Sequence, residues 1–166
     1  LYDRRADWHY EMPSTKETLA RAHQENRFPV VFADRNDNTG GGSPGDSTAM
    51  LRTFIEAELE VACVLYMVDP EAVDKCMEAG VGATITLDVG GKSSSLQGTP
   101  VTMTAQVLSL SDGRFRYHGP MLAGLEGTMG PSAYIRQEGV HVLLVNAREQ
   151  PFDTAYSESL GVDHRE

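Results

Sequence analysis

The sequence predicts a mixed α/β fold. A front half of parallel strand–helix–strand units continues into antiparallel hairpins, and the strands form a single mixed sheet with helices packed on it. Up to about residue 80, apolar runs alternate with helical patterns, which favours right-handed parallel crossovers. Beyond that point apolar residues recur at every second position, which is typical of strands. Glycine-containing turns separate these alternating runs.

The front half begins with a helix. Ser14-x-x-Glu17 is a capping box, and it predicts a helix over 14–26. The apolar, valine-containing run 28–33 then predicts a short buried strand. A second helix is predicted over 46–59, because its apolar residues recur at three- and four-residue spacing.

The next strand and helix have clear boundaries. Residues 61–68 are apolar throughout, which indicates a strand covered on both faces. Asp69-Pro70-Glu71 then predicts a helix start, because the aspartate can cap it, proline suits the first turn and an acid suits the positive end of the helix dipole. Gly80 supplies the predicted stop.

The back half has the period of two that predicts strands over 83–89 and 101–107. Asp112-Gly113 is a hairpin signal and predicts a return strand over 114–118. The glycine- and proline-rich stretch 119–131 is predicted to be a surface loop. The remaining predicted elements are a hairpin formed by 133–137 and 140–146, and one short helix after Pro151.

Composition limits the class of protein. A chain of 166 residues with 40% hydrophobic residues fits one domain with a real core. The net charge of −10 argues against a nucleic-acid partner, and no apolar run approaches the roughly 20 residues that span a membrane. Cys63 and Cys76 both lie in apolar patterns, so we expect buried thiols and a reducing, cytoplasmic location.

We expect three segments along the chain. Residues 1–13 have no regular period and are predicted to be a loose N-terminal segment. Residues 14–160 form the predicted α/β domain, and 161–166 form a tail. The chain opens at Leu1 without a methionine, and we expect it to be a fragment of a longer protein.

The candidate functional segment is 32–48, which reads F-A-D-R-N-D-N-T-G-G-G-S-P-G-D-S-T. Its density of turn formers and short polar groups predicts a shaped polar loop, and such loops often carry function. Three interpretations remain open: an anion site built from backbone amides, a cation or polar-substrate site built from side-chain oxygens, and an ordered connection. The candidate binding residues are Asp34, Asn36, Asp37, Asn38, Gly40, Gly41, Gly42, Asp46 and Ser47.

No other motif forms a catalytic set. The five histidines are scattered, and none belongs to an H-E-x-x-H or H-x-H pattern. We expect His141, in an apolar strand, to be packed or hydrogen-bonded rather than a metal ligand. Asp69 and Glu71 are interpreted as helix-start residues. The residues themselves therefore predict no self-sufficient active site, and the catalytic residues remain unknown.

Three motifs together resemble a known family. They are the glycine-rich run 32–48, D-P-E-A-V from Asp69, and E-A-G-V-G-A-T-I-T-L-D-V-G-G-K from Glu78 to Lys92. They look like the carboxyl-terminal region of the microcystinase C (MlrC) family of metallopeptidases, and the resemblance covers about 30–160. It implies a larger parent that is a zinc-dependent amide-bond hydrolase.

The resemblance also implies how this chain takes part in that function. The zinc ligands and catalytic groups are expected in a preceding N-terminal domain of the same polypeptide, its main partner, and no metal is expected in this fragment. The hypothesis is that 34–46 forms a wall of the cleft that receives a small peptide or amide substrate. A stand-alone small-ligand module, a structural or assembly domain, and a homo-oligomer all remain open.

Overall fold

The computed structural model describes residues 2–9, 11–26 and 28–163. These residues form two compact units, divided between Ala33 and Asp34. The predicted boundaries at 13/14 and 160/161 stay predictions. Leu1 and Tyr10 of the predicted loose segment, and 164–166 of the predicted tail, lie outside the described residues.

The first unit contains two short helical elements. Tyr2–Trp8 is a 3₁₀ helix without buried residues. Helix α1, Thr15–Glu25, begins at the predicted capping box: Ser14 Oγ accepts the Glu17 amide, and the Glu17 side chain accepts the Ser14 amide. These two hydrogen bonds satisfy backbone N–H groups that have no partner within the first turn of a helix. The helix prediction is confirmed.

The predicted strand over 28–33 is wrong. These residues have no strand geometry, and Val31 is 87% exposed. Pro29 has no N–H to donate to a strand ladder, and no neighbouring strand pairs with this segment among the described residues. An apolar run specifies a buried strand only where the fold provides a neighbour for it.

The second unit contains the remaining elements. Its helices are α2 (Ala49–Glu56), α3 (Pro70–Ala79) and α4 (Ala155–Glu158). Its strands are β1 (Ala62–Val68), β2 (Thr84–Val89), β3 (Val101–Ser111), β4 (Arg114–Arg116), β5 (Glu126–Thr128), β6 (Ser132–Gln137) and β7 (Val140–Val145). Helix α2 is shorter than predicted, because residues 46–48 belong to the preceding loop.

The main sheet is mixed, with strand order β1-β7-β6-β3-β2. The mixed α/β fold with helices on a mixed sheet is thereby confirmed. The parallel pair, however, is β1 with β7; β2 pairs antiparallel with β3, so β1 and β2 are edge strands rather than neighbours. The predicted parallel crossover between them is wrong, because the three strands β7, β6 and β3 lie between them in the sheet.

Buried side chains cover both faces of the sheet. On the face that carries α3, Met103, Val107, Ile135 and Val142 are fully buried. On the other face Leu143 and Val145 pack with Met129, Tyr156 and Leu160. The short helix α4 therefore closes a second core layer, since Tyr156 belongs to it and Leu160 follows it.

The turn at Asp112-Gly113 does not form the predicted hairpin. Strand β4 leaves β3 and pairs with β5 in a separate two-stranded ribbon. The Gly113 carbonyl accepts the Met129 amide at 2.9 Å, which ties the turn to the end of the ribbon. The predicted surface loop 119–131 consequently contains β5. Local turn residues specify that the chain bends, but not which strand it then joins.

The prediction that β1 is covered on both faces is wrong, because β1 is an edge strand and Leu65 within it is 42% exposed. Most of the other predictions for the second unit agree with the structure. Asp69 caps α3, with Pro70 in its first turn. Strands β6 and β7 form the predicted hairpin. His141 Nδ1 lies 2.6 Å from the Tyr134 hydroxyl. Both cysteines are free thiols, but only Cys76 is fully buried as predicted, and Cys63 is partly buried. None of the described helices is both long and apolar enough to cross a lipid bilayer.

The contact between Gly113 and Gly130 yields a stability prediction. Gly113 has φ of 76°, and a Cβ there would overlap the Gly130 carbonyl oxygen. Gly113→Ala is expected to lower the free energy of unfolding by about 3 kcal/mol, from the left-handed backbone and the overlap together. Gly124 has φ of 84° with open space around it, so Gly124→Ala should cost only about 1 kcal/mol. Urea unfolding followed by circular dichroism measures both, and equal losses would contradict this account.

Candidate functional site

The candidate site joins two loops. We call residues 34–48 the glycine loop and residues 90–99 the Lys92 loop. The glycine loop reaches the end of β1, where the Val68 amide donates to the Gly45 carbonyl at 2.8 Å. The Lys92 loop follows β2. The site therefore lies where the two edge strands of the main sheet end close together.

Asp37 organises the glycine loop from within. Its Oδ1 accepts the Ser43 hydroxyl and the Gly45 amide, both at 2.8 Å. Its Oδ2 accepts the Ser47 amide at 2.6 Å. One half-buried carboxylate thus fixes three points of the loop, because an ionised carboxylate accepts several hydrogen bonds at once.

Asp46 joins the glycine loop to the Lys92 loop. It is only 4% exposed. Its Oδ2 accepts the Lys92 and Ser93 amides, each at 2.8 Å, and its Oδ1 accepts the Ser93 hydroxyl at 2.6 Å. The Asp46 carbonyl also accepts the Gly91 amide at 2.7 Å. These bonds satisfy a buried charge that would otherwise be costly.

Asp69 holds the end of β1 against the end of β2. Its Oδ2 accepts the Gly90 amide at 2.8 Å, and its Oδ1 accepts the Ala72 amide at the start of α3. Lys92 Nζ lies 2.9 Å from Asp69 Oδ1 and 3.4 Å from the exposed Glu71. The hydrogen bond from Lys75 and, second to it, the charge of Lys92 hold the pKa of the Glu71 carboxyl below its ordinary value.

Thr48 and Gly98 form a second contact between the two loops. The Thr48 hydroxyl donates to the Thr99 carbonyl at 3.0 Å, and the Thr48 amide donates to the Gln97 carbonyl at 3.0 Å. A Cβ on Gly98 would lie 2.5 Å from the Thr48 hydroxyl oxygen. Close approach of the two backbones therefore requires glycine at this position.

The structure divides the predicted site residues into two groups. Asp37, Asp46 and Ser47 point their polar groups into the loop network, as described above. Asp34, Asn36, Asn38 and the glycines 40–42 are exposed. Asp34 Oδ1 accepts the Asn36 amide at 2.9 Å, and Asn38 Oδ1 accepts the Gly40 amide at 3.0 Å. The two side chains thus make local turns of the Asx type.

The backbone amides of the triple glycine are engaged within the loop. Gly41 donates to the Asn38 carbonyl and Gly42 to the Thr39 carbonyl. With the Gly40 amide on Asn38, this leaves no row of converging amides such as an anion site uses. The geometry therefore favours the ordered connection over the anion site.

The segment after β7 buttresses the glycine loop. The Thr39 hydroxyl donates to the Glu149 carbonyl at 3.0 Å, and the Glu149 amide donates to the Tyr66 hydroxyl at 2.9 Å. Burial raises the pKa of the Tyr66 phenol, more than the hydrogen bond from Glu149 lowers it. The neutral phenol can thus accept from one backbone group while it donates to another.

The site carries no metal-ligand set of its own. Within 2–9, 11–26 and 28–163, no group of three or more histidine, cysteine or acidic side chains could hold a metal ion. Asp37, Asp46 and Asp69 already accept backbone amides, so their oxygens are committed. Burial raises the pKa of Cys63 to about 12 and of Cys76 to about 11, which keeps both thiols protonated and poor ligands.

Sequence reasoning missed the contribution of the Lys92 loop. Lys92, Ser93 and Thr99 contact residues of the glycine loop or of α3, although they are remote in sequence. The sequence predicted only a glycine-containing turn between the two alternating runs, besides the family motif that ends at Lys92. The available signal was a polar segment with two adjacent glycines directly after a predicted strand; in the structure both glycines have positive φ, 65° and 62°.

A separate concavity lies on the β4–β5 ribbon. It has a volume of about 460 Å³ and is lined by Arg114, Phe115, Arg116, Glu126, Gly127 and Thr128. None of these residues belongs to the two loops of the candidate site. Both arginines lie within 4 Å of an exposed carboxylate, of Asp112 and Glu126 respectively, so the groove has no strong net charge.

Comparison with known proteins places the chain among longer relatives. A family model described as MlrC C-terminus matches residues 32–166. Microcystinase C of a Sphingomonas species is 30% identical over 136 residues, which are 82% of this chain and 26% of that protein. A Mesorhizobium sp. BNC1 crystal structure at 2.13 Å resolution, of a protein provisionally named a metallopeptidase, matches with a TM-score of 0.84 and 28% identity. The match covers 98% of this chain and 32% of that one.

The Asp46 network gives a prediction for the site. Asp46→Ala removes both acceptor oxygens, so the Lys92 and Ser93 amides and the Ser93 hydroxyl lose their partner. We expect the free energy of unfolding to fall by about 2–3 kcal/mol. The control is Asp34→Ala, which removes the single Oδ1 acceptor of an exposed turn and should change stability by less than about 0.5 kcal/mol. Urea unfolding distinguishes the two, and a neutral Asp46→Ala would refute the role given to this carboxylate.

Proposed function

This chain belongs to the MlrC C-terminus family, and on that premise we propose that it is the C-terminal part of a zinc-dependent metallopeptidase that hydrolyses amide bonds. In this proposal the glycine loop lines the active-site cleft. The zinc ligands and catalytic residues come from the preceding region of the polypeptide, and the enzyme works in the cytoplasm on a small peptide or amide substrate.

One observation carries the proposed role of the glycine loop. Asp37 and Asp46 are turned inward and bind backbone amides of the glycine loop and of the Lys92 loop, which gives the glycine loop one defined shape. The exposed polar groups of Asp34, Asn36 and Asn38 stand on that fixed base. Preorganised polar groups on a rigid support bind a substrate without a further cost of ordering the loop.

The metal-ligating side chains of this chain determine what it can contribute to zinc chemistry. Zinc in hydrolases is held by histidine, cysteine or carboxylate side chains and supplies an activated water and a polarised carbonyl. The described residues do not fit such a site, since their buried carboxylates are occupied and their thiols are protonated. The contribution of this chain is therefore to orient substrate and to shape the cleft.

The relatives support the proposal that this chain is part of a longer protein. Microcystinase C has the name of an enzyme, and this chain matches 26% of its length. The structural relative, provisionally named a metallopeptidase, is about three times as long as this chain. A C-terminal region with a shaped polar loop, and with no metal-ligand group in the part that the structure describes, fits a protein in which the metal is held elsewhere.

The role of the exposed loop side chains can be tested in the full-length protein. Asp34→Asn removes a charge but keeps the turn acceptor, and Asn36→Ala removes an exposed amide group. We expect each to lower kcat/KM about 3- to 10-fold, the value of one lost hydrogen bond, with zinc content and Tm unchanged. Glu78→Gln, an exposed charge removal on α3, is the matched control. Unchanged kcat and KM in both loop variants would leave the loop purely structural.

Metal analysis tests whether zinc is bound by the preceding region of the polypeptide and not by this chain. The full-length protein should hold zinc and should lose peptidase activity when a chelator removes it. The 166-residue chain, refolded with zinc and then dialysed, should retain well under about 0.1 equivalent, because its residues 2–9, 11–26 and 28–163 offer no group of ligands for a metal ion. Stoichiometric zinc or amide hydrolysis by the 166-residue chain alone would contradict the proposal.

A further inference from the structure

The ribbon formed by β4 and β5 ends in an apolar tip, which we call the ribbon tip and define as residues 117–125. Residues 120–125 are exposed without exception. Met121 is 55% exposed, Leu122 is 40% exposed and Leu125 is 57% exposed. No charged residue lies between His118 and Glu126. Consecutive exposed apolar residues of this kind are unusual on a protein surface unless they bind something.

The ribbon tip is ordered by its own backbone. The Tyr117 amide donates to the Leu125 carbonyl at 3.0 Å, and the Gly124 amide donates to the Tyr117 carbonyl at 2.8 Å. The Leu125 amide closes a turn on the Leu122 carbonyl, with Leu122 at φ of 63°. A leucine is disfavoured in the left-handed region, so this exposed side chain is held in place at an energetic cost.

A strap connects the ribbon tip to the candidate site. We call residues 147–153 the strap. At one end Thr39 of the glycine loop donates to the Glu149 carbonyl. At the other end Asp153 Oδ2 accepts the His118 and Gly119 amides at 3.1 and 2.9 Å. Phe152, in the strap, is 44% exposed. The strap therefore links the ribbon tip to the glycine loop through hydrogen bonds at both of its ends.

Charge limits what can cover the ribbon tip. The chain has a net charge of −10, so a second copy would bring two strongly acidic surfaces together, and an anionic membrane would be repelled. The preceding region of a longer polypeptide is held nearby by the chain itself, which raises its effective concentration against such repulsion. Both relatives extend far beyond the part that this chain matches.

We propose that the ribbon tip, with Phe152 beside it, is the docking surface for the preceding region of the full-length polypeptide, which binds Met121, Leu122 and Leu125 in an apolar depression. This inference rests on the proposed function, because it takes the remainder of the parent protein as the occupant. The docking fixes the glycine loop, through the strap, relative to that region.

Hydrogen–deuterium exchange tests the proposal without any use of activity. Among the described residues, no backbone carbonyl accepts the amides of Met121, Leu122 and Ala123, so these amides should exchange rapidly in the 166-residue chain. In the full-length protein we expect the peptide that spans 117–126 to exchange at least about ten-fold more slowly. Equal rates in the two proteins, or a gene product with no preceding region, would overturn the proposal.

Variants distinguish docking from a general change in stability. A polar-tip variant combines Met121→Ser, Leu122→Asn and Leu125→Ser; asparagine tolerates the left-handed backbone. In the full-length protein it should restore rapid exchange at the tip, while the Tm of the 166-residue chain carrying the same changes stays the same or rises. The matched control is Val81→Ser, which removes an apolar side chain that is 64% exposed and should leave tip exchange slow.

Other occupants give different outcomes. Tip protection in the 166-residue chain that increases with its concentration would identify a second copy and overturn the proposal. Protection by vesicles of phosphatidylcholine and phosphatidylglycerol would identify a lipid surface and overturn it as well. A protected tip in a full-length protein without zinc or peptidase activity would leave docking intact and reject the proposed function alone.

Discussion

The buried carboxylates of Asp46 and Asp69 are the interactions on which the site depends. Asp69 binds the Gly90 amide, so the residue after one edge strand holds the residue after the other. Asp46 binds the Lys92 and Ser93 amides and joins the two loops. A carboxylate is suited to this position because it only accepts, and it can accept from several backbone donors at once. Lys92 near Asp69 compensates part of the buried charge.

This arrangement separates the polar residues of the glycine loop by role. Those that face inward replace the regular hydrogen bonds that a helix or a strand would have supplied, because buried amides need partners. The outward-facing side chains of Asp34 and Asn38 each accept one backbone amide of a local turn, and they remain exposed together with Asn36. The same loop can therefore be rigid and functional, and its rigidity comes from the chain described here, whereas its proposed reaction partner comes from the rest of the parent protein.

Long periodic segments and their boundary residues were predicted well from the sequence. Helix α3, with Asp69, Pro70 and Gly80 at its ends, and the β6–β7 hairpin depend mostly on local interactions, so a short stretch of sequence specifies them. The run 28–33 and the turn at Gly113 show the limit. Each has a correct local signal, an apolar run or a turn dipeptide, but strand pairing depends on neighbours that are distant in sequence.

The candidate site was found in part. The density of polar and glycine residues in 34–48 indicated a shaped loop, and the chemistry of aspartate and asparagine indicated turns. Which of these side chains face inward could not be predicted, because the Lys92 loop contributes the donors that Asp46 binds. The structure also favours an ordered connection over an anion site for Gly40, Gly41 and Gly42, because their amides donate within the loop.

By itself the sequence determined the mixed α/β class, most helix and strand positions, the acidic charge and the membership signalled by the motifs, because these follow from local pattern and composition. Only the tertiary structure decided that β1 and β2 are edge strands whose ends meet, that Asp37 and Asp46 are internal, and that the apolar residues of the ribbon tip stand in solvent. The physical reason is that each of these facts depends on contacts between segments far apart along the chain.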